Sequence, residues 1–478
     1  MNRPVRPPTP HWTALVFQLL PFADAASVDL PLGRLLRLAL FQVSVGMAMV
    51  LLNGTLNRVM VVELGTPTWL VALLIAVPLI VAPFRALIGH KSDTHRSVLG
   101  WRRVPYIWFG TLMQFGGLAI MPFSLLLLSK PEAFTIGLVG AAAAFLLTGT
   151  GIHVTQTAGL ALATDLAPED KRPRAVALLY VMLLVGMMFA AFVIGGMLID
   201  YSATLLVQVI QGAAVLTIIL NVTALWKQEA RNPVITAPDR DTPTFSELWQ
   251  AFVKDGRNAR LLTAIGIGAA GFAMQDALLE PYGGEILGLS VGATTGLTGA
   301  WALGSLIGFM ASGRMLGRGW DPLRLAGMGL VIGINAFLLV LFAGPFGSPA
   351  MLYAGALTIG LGLGLFSVGT LMEAMSLAKT ATAGLALGAW GAVQATCAGA
   401  GIAIGGLLRD GIAAFVGSGH ADTIATRASG YSTVYLLEIA LLLAGLAAIG
   451  PLVGSQRRRD EAAGDTPSQP FGLVEFPT

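Results

Sequence analysis

Long apolar runs separated by short polar stretches set the pattern of this chain. Runs beyond the roughly 18 residues that mark a membrane-spanning helix fall near 36–62, 68–89, 104–128, 134–162, 175–199, 204–226, 260–285, 291–313, 325–345, 349–376, 384–408 and 431–453. None alternates with the two-residue period of a barrel strand. In lipid every backbone N–H and C=O needs a partner within the segment or in a closed barrel, so these runs predict twelve transmembrane helices and an all-α integral membrane protein. Between the sixth and seventh lies KQEARNPVITAPDRDTPTFSELWQAFVKDGRNA, Pro-punctuated and then amphipathic at FSELWQAF. It reads as a linker with a surface helix. The expected organisation is an N-terminal arm (1–35), a six-helix half (36–226), the linker (227–259), a second six-helix half (260–453) and a tail (454–478) polar enough to be disordered.

Composition supports this reading. Over 478 residues, 55% are hydrophobic and only 12% charged, with a mean hydropathy of +0.75. A net charge of +3 would suggest acidic partners in a soluble protein. Here topology accounts for the basic residues, and no nucleic-acid reading follows. Arg3, Arg6, Arg34 and Arg37 precede helix 1; Lys91, Arg96, Arg102 and Arg103 follow helix 2; Lys171, Arg172 and Arg174 follow helix 4. The linker is basic, Arg314, Arg318 and Arg324 follow helix 8, and Lys379 and Arg457–Arg459 complete the series. The intervening connections keep little beyond Lys130, Arg409 and Arg427, which predicts cytoplasmic termini. MNRPVRPPTPHW lacks a signal-peptide pattern, so the first helix should itself direct insertion. The single Cys397 can form no internal disulfide. No GxSxG elbow, phosphate loop, HExxH pair or cysteine cluster appears, so an enzyme finds no support.

Charge collects most densely in GHKSDTHRSVLGWRR. Gly89, three residues, Asp93, then Gly100-Trp101-Arg102-Arg103 are echoed after helix 8 by Gly308, three residues, Ser312, then Gly317-Arg318. This resembles the signature loop of the major facilitator superfamily, which implies two pseudo-repeated halves. Gly89 would let helices approach closely, Asp93 could accept hydrogen bonds from a helix N-terminus, and the arginines could pair with carboxylates. Helix 11 is the expected neighbour, with Gly384/Gly388 and Gly401/Gly405 at small-xxx-small spacing. The basic pair comes several residues late, after HRSVL, which departs from an ordinary transport gate.

A narrower resemblance follows. LFQVSVGMAMVLLNGTLNRVMVVELGTP, APFRALIGHKSDTHRSVLGWRRVPYIWFGT and GTGIHVTQTAGLALATDLAPEDKRPRAVALLYVMLLVGM are similar to the PucC/LhaA group, the bacteriochlorophyll delivery family of phototrophic bacteria. The resemblance implies an antenna-assembly factor of the inner or intracytoplasmic membrane. Its implied cargo is bacteriochlorophyll or pigment-loaded apoprotein, and its implied partners are light-harvesting polypeptides, pigment-synthesis enzymes, the insertion machinery and the bilayer.

In the superfamily, helices 1, 4, 7 and 10 line the central cavity, which directs attention to their polar residues. Gln42, Gly46, Met49, Asn53 and Asn57 share a face of helix 1, with Arg58 and Glu63 near its outer end. They serve either interhelical hydrogen bonds or a cavity lining. Arg58 should pair or snorkel. On helix 4, Thr150, Gln156 and Thr157 fall within about 60° of His153. Neutral imidazole suits a chlorin magnesium that wants a fifth ligand, so His153 is a candidate axial ligand, with Gln156, Asn53 and Asn57 as further pigment-binding candidates. The competing reading is a hydrogen-bonded structural histidine. Asp276 and Glu280 of helix 7, four apart, should share a face, and two carboxylates in low dielectric cannot both ionise cheaply. That is how a proton-coupled small-solute transporter, the alternative function, would look. Glu373 on helix 10 is a third buried-carboxylate candidate, although close enough to the cytoplasmic end to be solvated. Glu438 on helix 12 is another, and Arg85 reads as an interface anchor.

Overall fold

Every predicted apolar run coincides with a helix over its described residues in the computed structural model, which describes residues 26–27, 30–80, 84, 88, 92, 101–168, 171–230, 256–376, 383–417 and 424–453. The first half contains α1 (Leu32–Glu63), α2 (Thr68–Ile80), α3 (Val104–Leu128), α4 (Phe134–Leu166), α5 (Arg172–Met197) and α6 (Ala203–Leu225). The second contains α7 (Gly256–Glu285), α8 (Val291–Gly317), α9 (Pro322–Ala343), α10 (Pro349–Ser376), α11 (Ala383–Gly417) and α12 (Ile424–Ile449). Ten helices among the described residues are long and apolar enough to cross a membrane. Of the other two, α2 is described over only 13 residues, and the Thr, Gly and Ser of α8 hold its hydropathy down. Helices α4 and α11 run past the expected ends at 162 and 408, and α12 starts before the expected 431. Helix ends tolerate the polar residues that close an apolar run, so hydropathy alone clips them.

The two halves repeat one packing plan. In the first, α1 packs on α4, α5 and α6, α3 packs on α4 and α6, and α2 packs on α4. Adding six to each number describes the second half, in which α7 packs on α10, α11 and α12, α9 on α10 and α12, and α8 on α10. The halves join along α5–α8 and α2–α11, which the same shift exchanges. Small residues make these seams close. A Cβ at Gly292 would strike the Gly195 carbonyl across the α5–α8 seam, and one at Gly406 would meet Ala72 and the Thr68 carbonyl on α2. With little hydrophobic force between helices in lipid, such backbone proximity supplies the packing energy. Helix 11 is thus the neighbour of helix 2, but Gly401 and Gly405 pack on Ala270 and Met274 of α7 rather than on α2. The surroundings of Gly384 and Gly388 fall outside the described set.

Alternation of direction puts the α2–α3, α4–α5 and α8–α9 connections at the same face as the start of α1 and the end of α12, here the terminal face. The opposite, or far, face carries the α1–α2, α7–α8 and α11–α12 connections. Polar residues such as Gln42, Gln114 and Asn221 are buried while Phe109, Phe123, Phe189 and Ile136 are exposed. This is the sidedness of a protein whose solvent is hydrocarbon.

Two helices are irregular. Helix α1 has π turns over Val50–Leu56 and Val59–Glu63, and α7 has a 3-10 turn over Met274–Ala277 before its last segment, Leu279–Glu285. They are the first helices of the two halves, and their irregular segments pack against one another. Non-helical backbone at membrane depth persists only where protein covers it or a cavity hydrates it.

Candidate functional site

The facing breaks of α1 and α7 gather polar groups that single helices would leave stranded. Asn57 donates through Nδ2 to the Asn53 carbonyl at 3.1 Å and to the Asp276 carbonyl, across the halves, at 3.3 Å. The Thr55 and Thr295 hydroxyls meet at 3.1 Å. The Glu280 carboxylate accepts from the Thr298 hydroxyl and rests on the bare backbone of Gly54, where a Cβ would collide with it. Its second oxygen is buried without a hydrogen-bond partner, as is Asn57 Oδ1. Asp276 accepts from the neighbouring Gln275 side chain, and Glu438 of α12, wholly buried, lies beside Asp276. Asp276 and Glu280 therefore do not form the one-face pair that their spacing predicts. A 3-10 turn advances three residues per turn, so positions four apart are rotated off a common face, and each carboxylate has its own partners.

The polar stripe of α1 is likewise divided. Gln42 accepts from Gln156 of α4 at 3.4 Å, Gly46 packs on Leu183 and Met187 of α5, and Asn57 reaches α7. Through its π turns the helix widens from i→i+4 to i→i+5 bonding, which breaks the 3.6-residue face that joined Met49 to Asn53 and Asn57. His153 is half-buried on α4, as are Thr150 and Thr157. One turn before it, Gly149 abuts Pro78 of α2; three residues after it, Gln156 meets Gln42. The pigment-binding candidates thus fall in two groups, His153 and Gln156 on α4 and Asn53 and Asn57 at the α1 break.

At the terminal face, Arg102 donates to Asp165, near the end of α4, at 2.6 Å, and Arg103 reaches the same oxygen at 3.1 Å. Arg103 also donates to Ser92 at 2.6 Å. Gly89, Asp93 and Arg85 lie outside the described residues. The Glu229 carboxylate, just after α6, accepts from the backbone amides of Arg102, Arg103 and Val104 at 2.7, 3.1 and 2.9 Å, capping α3. A carboxylate there meets both the unsatisfied amides and the positive end of the helix dipole. In the second half the echo differs, because α8 continues to Gly317. Gly308 is therefore a packing residue against Gly364 of α10, and Ser312 bonds back to the Gly308 carbonyl at 2.8 Å. Glu373, a buried-carboxylate candidate from the sequence, is indeed buried and accepts from Arg257 of α7 at 2.5 Å rather than being solvated at the helix end.

The far face carries two further networks. Arg58 pairs with Glu63, as its depth requires, and donates to the Leu289 carbonyl in the other half at 3.2 Å. Arg409 of α11 pairs with Glu285 of α7 and, at 2.6 Å, with Asp410, and stacks 4.6 Å above the Tyr431 ring. Tyr431 donates to Glu285 at 3.0 Å, and Asp410 accepts from the Trp69 amide at 2.8 Å, capping α2. Asp165, Glu229, Glu285 and Asp410 were not singled out from sequence. The available signal was the expense of Arg409 inside an apolar run, which demands an acid on a neighbouring helix.

Comparison with known proteins agrees with this architecture. A bacterial homolog of the human lysosomal transporter Spinster, solved inward-facing and unoccupied, superposes with a TM-score of 0.64 over 87% of this chain and 95% of its own, at 15% identity, a likeness of fold. The protein of Rhodobacter capsulatus described as an uncharacterized protein in the puhA-bchM intergenic region is 51% identical over 472 residues, 97% of this chain and 98% of that one. Protein PucC of Rhodovulum sulfidophilum is 55% identical over 403 residues, 83% of this chain and 89% of that one. The model of the PUCC protein family matches residues 55–457. A twelve-helix body with a superfamily-type fold, paired breaks at its centre and this degree of sequence identity make the chain a member of the PUCC family.

Proposed function

We propose that the chain is a light-harvesting assembly factor that delivers bacteriochlorophyll, or pigment-loaded apoprotein, to antenna complexes of a phototrophic bacterium. It would sit in the inner or intracytoplasmic membrane with both termini cytoplasmic, so that the terminal face is the cytoplasmic one. The observation that carries the reading is the nearly full-length identity to PucC proteins, 55% over 403 residues with the Rhodovulum protein. His153 offers an imidazole to a chlorin magnesium on a half-buried face of α4, and Gln156, Asn53 and Asn57 offer hydrogen bonds to ring substituents. The antenna polypeptides, pigment-synthesis enzymes and insertion machinery are the partners this role requires.

The test is near-infrared absorbance. Chain purified in mild detergent from pigmented membranes should carry bacteriochlorophyll, and a strain lacking it should lose antenna absorbance while still making pigment. Pigment-free protein together with normal antenna in that strain would overturn the proposal.

One observation favours a second reading, a proton-coupled small-solute transporter: Glu280 keeps a buried oxygen with no hydrogen-bond partner where the halves meet. Discontinuous helices at the membrane midplane form the substrate sites of many transporters. In that case Asp276→Asn or Glu280→Gln should abolish uptake and its pH dependence while antenna assembly survives.

A further inference from the structure

A lipid-facing groove runs between α9 and α12 at the terminal face. Its volume is about 380 Å³, and Leu323, Gly327, Val331, Leu446 and Ile449 line it, with Arg324 at its mouth. Gly327 makes the floor, since a Cβ there would find only Leu446 nearby, at 3.5 Å. The groove occupies the start of α9 and the end of α12, so it opens at one edge of the membrane span. From Leu323 to Ile332, a helix rises about 14 Å. That is close to half of the roughly 30 Å hydrocarbon thickness. The groove is therefore one leaflet deep, too short for a transmembrane polypeptide and matched to an acyl chain.

Charge selects the headgroup. Arg324 is exposed at the mouth, and exposed Arg260 of α7 is held beside the end of α12 by donating to the Ala448 carbonyl at 3.1 Å. Exposed Arg318 and the half-exposed Trp320 indole lie in the adjoining α8–α9 turn. Asp321, the acid beside them, accepts from the Leu323 and Arg324 amides at 2.8 and 3.0 Å as the cap of α9. We propose that this groove is a binding site for an anionic phospholipid, the phosphate held at Arg324 and Arg260 and one acyl chain laid along Gly327. Basic pockets between transmembrane helices at a membrane edge recognise such headgroups in general.

Native mass spectrometry of the full chain in mild detergent tests this, with phosphatidylglycerol and phosphatidylcholine of identical acyl chains added in turn. Phosphatidylglycerol should be retained preferentially, and Arg324→Gln should reduce its retention about fivefold, the contribution of one basic residue at an anionic surface. Gly327→Leu, which fills the floor, should abolish it. Val331→Trp, at a position 45% exposed, should do the same without stressing the core. Equal retention of the two lipids, or retention unchanged in all three variants, would overturn the proposal. So would displacement by inorganic phosphate alone, or an adduct with the mass of bacteriochlorophyll or of a polypeptide.

Discussion

Arg257, in the first turn of α7, donates to Glu373, near the end of α10, across 2.5 Å, and the two side chains are only 9% and 6% exposed. The pair ties together two helices of the second half at the terminal face. Removing either partner leaves an uncompensated buried charge, which costs about 3–5 kcal/mol. Arg257→Met and Glu373→Met should each lower the thermal unfolding temperature in detergent sharply, and the double variant should recover most of the loss. Additive losses in the double variant would show that the two side chains act independently.

Glu229 serves three consecutive amides at the start of α3. Glu229→Ala should destabilise by about 0.5–2 kcal/mol, the range for losing a helix cap. Faster hydrogen exchange at residues 102–104, with α6 unaffected, would locate the loss.

Gly304 of α8 approaches α10 so closely that an added Cβ would overlap the Leu357 carbonyl. Gly304→Leu should prevent folding, read as loss of the monodisperse peak in size-exclusion chromatography. Gly116 of α3 has open space around it. Gly116→Ala should be tolerated and slightly stabilising, by about 0.5–1 kcal/mol. If Gly304→Leu folds normally, the close approach of α8 and α10 is wrong.

Reporter fusions at Thr478 and near Arg240 should both report cytoplasm, and one near Thr66 the opposite side. A periplasmic signal at Thr478 contradicts the proposed orientation.

His153→Ala should lower the bacteriochlorophyll carried per folded protein without a comparable loss of thermal stability. A histidine that only bonds neighbouring helices predicts the reverse, a cost of about 0.6–2 kcal/mol with pigment content unchanged.

The helices were legible in the sequence because their cause is local. Each span must satisfy its own backbone in lipid, so the length of the apolar run nearly defines it. The halves were legible from the polar linker and from the Gly-x-x-x-polar echo, although α8 puts Gly308 and Ser312 inside a helix. The breaks were not legible. The π turns of α1 and the 3-10 turn of α7 lie where residues 219 positions apart meet, Asn57 donating to the Asp276 carbonyl. No window centred on either stretch contains the other. Asp165, which holds Arg102 and Arg103, and Glu285, which holds Arg409, were hidden for the same reason. A basic residue in an apolar run announces that it needs a partner, but the fold decides which helix supplies it.

The six-number shift in helix packing orders events on the ribosome. All partners of α1, α3, α4 and α6 within the first half exist before α7 is made, and chains assemble domain by domain from the N-terminus during synthesis. The small-residue faces of α2 and α5 must wait for α11 and α8 to cover them. A nascent chain stalled after α10 would have one seam closed and the other open, presenting Thr68 and Ala72 to whatever samples the bilayer. Completion of α11 is then the step that closes the second seam between the halves, with only the outer cover of α7 and α9 by α12 still to come.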